Sequence, residues 1–204
     1  VRVYLNDWAS EKNAKSFLPA GSTTYTLKDN VKIFPTSFNL NPNDSKSVVL
    51  NLSAQKGDPA GQYGVIFFEI QPTQKSKGSG VSIGGRLGTL IAKETDGKQA
   101  RQLVVATPSV KVKANKLTLS LSGTNPTSLL LRPKVTLVLT NDKNDVLYKS
   151  TLPSEWIVLP KSDRAYSTVI SLAKPIADKN VTALLTFDLG DDGLLMKECR
   201  ALIE

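Results

Sequence analysis

Apolar and polar side chains alternate along most of the chain. Residues 1–6 alternate strictly, with Val1, Val3 and Leu5 in the apolar positions. A period of two is typical of a strand with one buried face. Comparable runs predict strands at residues 1–6, 24–27, 31–35, 47–52, 63–70, 81–83, 87–92, 110–113, 117–121, 134–139, 146–150, 168–172, 182–189 and 195–203.

Turn-forming residues separate these runs. Clusters of Asn, Asp, Gly and Pro occupy residues 40–44, 56–59, 141–144 and 190–193, and such clusters favour turns. No segment of helical length has a 3.6-residue period; residues 9–17 are the best candidate for a short helical turn. Many short strands at roughly ten-residue spacing are typical of an all-β sandwich. We therefore predict an all-β fold.

A domain boundary is predicted near residues 98–108. The polar stretch Asp96-Gly97-Lys98-Gln99 comes before Thr107-Pro108, where a new series of strands begins. A residue that precedes proline is biased towards extended geometry, and a chain of this length has room for two domains of about a hundred residues. The prediction is two immunoglobulin-like β-sandwich domains, 1–106 and 107–204, of which the first has too few strands.

Composition excludes several kinds of chemistry. The chain has no histidine and a single cysteine, Cys199. This excludes histidine-dependent nucleophilic catalysis, histidine-ligated zinc, an internal disulfide and thiolate metal clusters. The longest strongly apolar run, residues 64–68, is far shorter than the roughly 20 residues of a membrane-spanning helix. We expect a binding protein rather than an enzyme, with no cofactor, no metal and no membrane span.

Positive charge is concentrated in one window. The formal net charge is +8, and residues 75–116 contain nine of the 26 basic residues but only Glu94 and Asp96 as acids. One interpretation is a site for an acidic partner, such as a C-terminal carboxylate. The other is an edge strand and linker that lysines protect against aggregation. The window has no aromatic residue on which bases could stack, so nucleic-acid binding is not predicted.

Four segments resemble a known family, the PapD-like periplasmic chaperones of fimbrial assembly. Three of them resemble the first domain of these chaperones: VKIFPTSFNLNPNDSKSVVLNL, GQYGVIFFEI and GVSIGGRLGTLIA. The fourth resembles the start of a strand in the second domain: WIVLPKSDRAYSTVISLAKPI. The resemblance implies a non-enzymatic periplasmic protein built from two immunoglobulin-like domains. Such a protein binds a pilin-like subunit by β-strand addition.

The resemblance also suggests which residues contact the partner. Its donor strand corresponds to the segment that holds Val81, Ile83 and Leu87, and Arg86 is the nearest cation for the subunit's C-terminal carboxylate. The family's cleft lysine corresponds to a position close to Gly88. Its arginine lies on an early strand that has no counterpart in this chain. Either the chain is a fragment, or another chain supplies the missing strands.

Two functional interpretations stay open. A chaperone would release its client, whereas a structural or accessory subunit of a cell-envelope assembly would stay in a stable complex. Enzyme chemistry by a carboxylate pair such as Asp191 and Glu198 is a third interpretation that no motif supports. Asp188, Asp191 and Asp192 flank glycines, and this spacing favours a turn over a calcium site.

Overall fold

The computed structural model describes residues 1–11, 14–71, 84–95, 100–152, 156–190 and 193–204. These residues form strands and loops and contain no helix; none of them therefore belongs to a helix that could cross a membrane. The all-β prediction is confirmed. The chain divides into two compact units, Val1–Asp96 and Gly97–Glu204.

The described residues of unit 1 form six strands in two sheets. Their bounds are β1 (Arg2–Glu11), β2 (Ala14–Pro19), β3 (Val31–Phe34), β4 (Val49–Leu52), β5 (Gly61–Ile70) and β6 (Gly85–Glu94). Four of them form an antiparallel sheet in the order β2-β1-β5-β6, and β3 pairs only with β4 in a separate two-stranded sheet. After β3 the chain returns to the larger sheet, where Val3 N donates to Thr36 O at 2.8 Å.

The helical turn predicted at residues 9–17 is wrong. This segment is the end of β1 and most of β2, paired with Asn6 opposite Pro19 and Trp8 opposite Phe17. The pairing places two aromatic residues on one face of the sheet, where Trp8 is buried. A hairpin buries this apolar surface against a neighbouring strand, whereas an isolated helical turn of this length gains little from its own hydrogen bonds.

The core of unit 1 lies on both sides of β5. Tyr63, Val65, Ile66 and Phe67 are all buried although successive residues point to opposite faces. Leu27 is fully buried at one of these faces, 3.7 Å from where a Cβ on Gly64 would lie. By contrast, all four residues of β4 are exposed.

Unit 2 contains the remaining strands. Their bounds are β7 (Val104–Val105), β8 (Ser109–Lys113), β9 (Lys116–Asn125), β10 (Lys134–Asn141), β11 (Val146–Thr151), β12 (Ser162–Ser171), β13 (Val181–Gly190) and β14 (Gly193–Ile203). The strand order is β11-β10-β13-β14-β8-β9-β12, and β7 also pairs with β9. Strand β8 joins the two halves because it pairs in parallel with β14 and antiparallel with β9.

The alternation in unit 2 encloses a continuous core. Strand β9 buries every second residue, including Leu117, Leu119 and Leu121. The Trp156 ring lies 5.9 Å from that of Phe187, and both side chains are buried. Val105 of β7, which lies within the predicted first domain 1–106, packs into this core: it is 4% exposed and pairs with Gly123.

Candidate strand-binding edge

Strand β6 forms an open edge of the four-stranded sheet. It pairs with β5 over ten residues, from Gly85 opposite Ile70 to Glu94 opposite Gly61. On its other side it has no strand partner in the described part of the chain. Every residue from Gly85 to Leu90 is exposed, and Leu87 is 72% exposed. This edge presents unpaired backbone groups flanked by accessible apolar side chains.

The side chains of β6 alternate between two faces. Leu87 is opposite Phe68 and Arg86 is opposite Glu69, and residues directly opposite each other in an antiparallel pair share a face. Of the four residues assigned to the partner site, Arg86 and Leu87 therefore lie next to each other but on opposite faces. Val81 and Ile83 lie outside the described residues.

Arg86 is held against an aromatic ring. Its guanidinium carbon is 4.2 Å from the centroid of Phe67, a cation–π distance. The buried Phe67 ring is packed edge-on against Phe17 at 5.1 Å and lies 5.8 Å from Tyr4. Within the described residues no carboxylate forms an ion pair with Arg86. The stacking orients the guanidinium while its N–H donors stay accessible to a ligand.

The same ring explains why residue 88 is glycine. A Cβ at Gly88 would lie 2.8 Å from Phe67 Cε1 and 3.0 Å from Val65 Cγ1. Contacts this short do not occur without movement of the neighbours. A lysine at this position would require the Phe67 ring and Val65 to move.

The far end of β6 contains a partly buried polar network that the sequence pattern did not predict. Lys93 Nζ donates to Asp58 Oδ2 at 2.5 Å and to Gln62 Oε1 at 2.7 Å. Asp58 also accepts hydrogen bonds from Gln55 N at 2.8 Å and from the Asn30 amide. The hydrogen bond from Lys93 is the largest of the effects that lower the pKa of Asp58 below its usual value. The network neutralises Lys93, whose side chain is 12% exposed.

This network was not predicted because its residues are far apart in the sequence. Asp58 and Lys93 are 35 residues apart, and the Asp58-Pro59 pair is typical of a turn. The one available signal is the alternation of β6, which places Lys93 on the same face as the apolar residues Leu87 and Ile91. A charged residue at an inward position requires a partner.

A second open edge lies on β4. This strand pairs only with β3 among the described strands. Leu50 and Leu52 are opposite Ile33 and Val31 and share their face, but they are 38% and 49% exposed. The valine-rich pattern of residues 47–52 predicted the strand and gave no sign that it lacks a neighbour.

The remaining candidates do not form a site. Asp191 and Asp192 lie outside the described residues, and Asp188 Oδ1 accepts a turn hydrogen bond from Gly190 N at 2.9 Å. Cys199 is half-buried; burial, followed by the nearby Glu198 carboxylate, raises the pKa of its thiol. A thiol of this kind is less reactive than an exposed one.

Comparisons with known proteins do not identify a relative. No protein-family model matches the chain, and no curated protein matches it either. Solved structures with local similarity include a β-glucosidase from Erythrobacter marinus, with 7% identity and a TM-score of 0.32 over 50% of this chain. Another is a β-glucosidase from Listeria innocua in complex with glucose, with 6% identity and a TM-score of 0.32 over 52% of this chain. The chain spans only 16% and 17% of the lengths of these two enzymes.

Proposed function

We propose that this protein binds another polypeptide by β-strand addition along β6 and acts in the manner of a periplasmic fimbrial chaperone. The observation that carries the proposal is the ten-residue edge, exposed at every residue from Gly85 to Leu90. Natural edge strands are usually shortened, bulged or covered against pairing with other chains. An edge that is long and regularly paired on one side only is suited to accept a strand.

The strand order supports two immunoglobulin-like domains in this proposal. In unit 2, β8 pairs with both β14 and β9 and so links the two halves of one sandwich. Among the described residues of unit 1, four strands form one antiparallel sheet and β3 and β4 form a second, two-stranded sheet. The periplasmic location is part of the proposal and depends on the sequence resemblance alone.

Arg86 is the anchor residue in this proposal. Its guanidinium is exposed, is oriented by Phe67 and has no ion-pair partner among the described residues. Guanidinium groups bind carboxylates through two parallel hydrogen bonds. A free C-terminal carboxylate on the partner would meet this requirement.

The test is capture of a partner by edge variants. Leu87→Lys places a charge on the open edge without disturbing the core, because Leu87 is 72% exposed. Val146→Lys is the matched control, because Val146 is 62% exposed on β11, an edge strand of unit 2. We expect the tagged protein to capture a pilin-like subunit from a periplasmic extract, identified by mass spectrometry. Capture should be lost in Leu87→Lys and retained in Val146→Lys. Equal capture by both variants would contradict strand addition at β6.

A second candidate function is that of a permanent subunit in a cell-envelope assembly. The observation that favours it is β4, whose open edge and exposed Leu50 and Leu52 would be covered by a strand from another chain. Leu52→Lys and Leu87→Lys separate the two functions. Loss of a stable, co-purifying partner in Leu52→Lys alone supports the permanent subunit, and loss of a releasable client in Leu87→Lys alone supports the chaperone.

A further inference from the structure

We infer that the outer face of the β8–β9 hairpin binds the anionic headgroups of a phospholipid membrane through Lys111, Lys113 and Lys116. We call these three lysines and the neighbouring Val169 the lysine patch. The inference goes beyond the proposed strand addition and does not depend on it, because it concerns unit 2 and a different kind of partner.

The lysine patch is one continuous surface. Strand β8 exposes every second residue, including Lys111 and Lys113, and a turn leads directly to the exposed Lys116 at the start of β9. Lys113 is opposite Lys116. Lys111 and Val169 are opposite Thr118 on its two sides. Residues directly opposite each other share a face, so the patch lies on one side of the sheet, around a groove of about 560 Å³.

The charges around this groove are not balanced. Glu204 is the one acidic residue among the described residues that line it, and its carboxylate is 3.6 Å from Lys113 Nζ. These two side chains are 44% and 79% exposed, and ion pairs this exposed contribute little. Among the described residues neither Lys111 nor Lys116 forms an ion pair. The groove therefore has an excess of positive charge that an anionic ligand would neutralise.

This arrangement of lysines has a structural cost. Like charges directly opposite each other in an antiparallel pair are destabilising, and Lys113 and Lys116 are such a pair. Lysines can protect an edge strand against aggregation, but these three do not lie on an edge. Strand β8 is paired with β14 and β9, and β9 is paired with β8 and β12. An anionic ligand would offset the repulsion and so accounts for the pair.

The pairing of β8 and β9 also indicates the class of ligand. An added peptide strand needs unpaired backbone groups, which strands paired on both sides do not offer. Bases stack on aromatic side chains, and no aromatic residue is among the described residues that line the groove. The phosphates of a membrane surface need neither feature, because lysine ammonium groups attract them directly. Val169 is 61% exposed, and Leu202, which is paired with Lys111, is 51% exposed. These apolar side chains can contact lipid at the same surface.

Co-sedimentation of the full chain with vesicles tests the inference. The probes are vesicles of phosphatidylcholine alone and vesicles of phosphatidylglycerol and phosphatidylcholine in equal parts. The patch variant combines Lys111→Gln, Lys113→Gln and Lys116→Gln. The matched control removes the same charge from exposed lysines elsewhere in unit 2 and combines Lys134→Gln, Lys143→Gln and Lys149→Gln. All six side chains are exposed, so neither variant should disturb the core.

We expect the wild-type protein to bind only the vesicles that contain phosphatidylglycerol, and to dissociate as the salt concentration rises. The patch variant should bind about 100-fold more weakly, because each lysine near an anionic surface contributes about fivefold. The control variant should lose much less affinity. Replacement of the three patch lysines by arginine, as Lys111→Arg, Lys113→Arg and Lys116→Arg, should retain binding because the charge is kept.

Several outcomes would overturn the inference. Equal losses in the patch and control variants would mean that binding follows net charge alone. Equal binding to both kinds of vesicle, or binding to neither, would exclude recognition of anionic headgroups. Displacement by inorganic phosphate, but not by sodium chloride at the same ionic strength, would assign the patch to free phosphate. Binding of a polyglutamate peptide or an oligonucleotide that the patch variant loses, with vesicle binding unchanged, would assign it to that ligand instead.

Discussion

Units 1 and 2 share the alternation of apolar and polar residues but differ in how far the apolar residues are buried. In unit 2 the inward residues form one continuous core, and residues such as Leu137, Leu139 and Leu185 are fully buried. In unit 1 the inward residues of β4 and the beginning of β6 remain exposed, including Leu52 and Leu87. The difference shows that period-two patterning specifies which face is apolar. Burial of that face depends on how much of the surrounding chain packs against it.

The two units also differ in how their open edges are protected. The part of β14 before Ala201 pairs only with β13 in the described structure, since β8 contacts β14 only at Ala201–Ile203. Lys197 lies on the inward face of this edge, opposite the buried Leu185. An inward charge discourages pairing with another chain. On the corresponding face of β6, Leu87, Thr89 and Ile91 carry no charge, and the one inward charge, Lys93, lies at the far end of the strand and is neutralised by Asp58, so the beginning of β6 lacks this protection.

The largest expected effect comes from removing a core side chain of unit 2. Leu137→Ala should lower the free energy of unfolding of unit 2 by about 3 kcal/mol, because the residue is fully buried and leaves a cavity. Leu52→Ala in unit 1 should cost less than about 1 kcal/mol, because its side chain is already 49% exposed. Denaturant titration followed by tryptophan fluorescence measures both, since Trp8 lies in unit 1 and Trp156 in unit 2.

The contrast between the two units would be contradicted if Leu137→Ala and Leu52→Ala lowered the unfolding free energy by the same amount. A large loss of unfolding free energy in Leu52→Ala would mean that the exposed face of β4 is already covered in solution, for example through self-association. Repeating the titration over a range of protein concentrations distinguishes this case, because only self-association makes the midpoint depend on concentration.

The next largest loss of stability is expected from substitution of a buried carboxylate in unit 1. Asp7 is fully buried and accepts hydrogen bonds from Gly21 N, Thr23 N, Thr23 Oγ1 and Thr26 Oγ1. In Asp7→Asn an amide group replaces one acceptor oxygen and faces donors, so unit 1 should lose about 2 kcal/mol. Asp44→Asn is the control, because Asp44 is exposed and accepts from Asn41 at 2.9 Å. Equal losses in the two variants would contradict this role of Asp7.

A smaller effect is expected at Gly88. Gly88→Ala places a Cβ against Phe67 and Val65 and should lower the stability of unit 1 by about 1–2 kcal/mol through overpacking. It should also displace Arg86 from the ring and weaken capture of a partner carboxylate. Gly85→Ala is the matched control, because its Cβ would make an ordinary contact with Ile70. Nuclear magnetic resonance shifts of the Phe67 ring report the displacement, and unchanged shifts in Gly88→Ala would exclude it.

Local pattern made most of the fold predictable. Strands such as β5 and β9 follow from alternation and from polar turns on either side. The pairing of β1 with β2 was not predicted. Trp8 and Phe17 lie opposite each other across the two strands, and the spacing of apolar residues along the chain does not reveal such a contact. The assignment of Val105 to unit 2 also depends on a pairing, with Gly123, that is formed by distant segments.

The candidate site was predictable only in part. Arg86 and Leu87 were assigned to a partner site from the family resemblance, and both lie on the open edge strand β6. The stacking of Arg86 on Phe67 and the pairing of Lys93 with Asp58 involve residues 19 and 35 positions apart. Which cation of β6 is available therefore depends on tertiary contacts.

The smallest effect concerns the Lys93–Asp58 pair and its dependence on pH. The pKa of Asp58 is lowered in the folded protein. The ionised carboxylate therefore contributes fully to stability at pH values above the pKa of an unfolded aspartate, about 3.9. This contribution is lost as the pH falls through that value towards the lower folded pKa. Asp58→Asn should be less stable than the wild-type protein at pH 7, and the difference should narrow between about pH 5 and pH 3. The unfolding free energy of Asp44→Asn should follow that of the wild-type protein at every pH. If the difference in unfolding free energy between Asp58→Asn and the wild-type protein stays constant over this range, the carboxylate acts by its shape and hydrogen bonds alone.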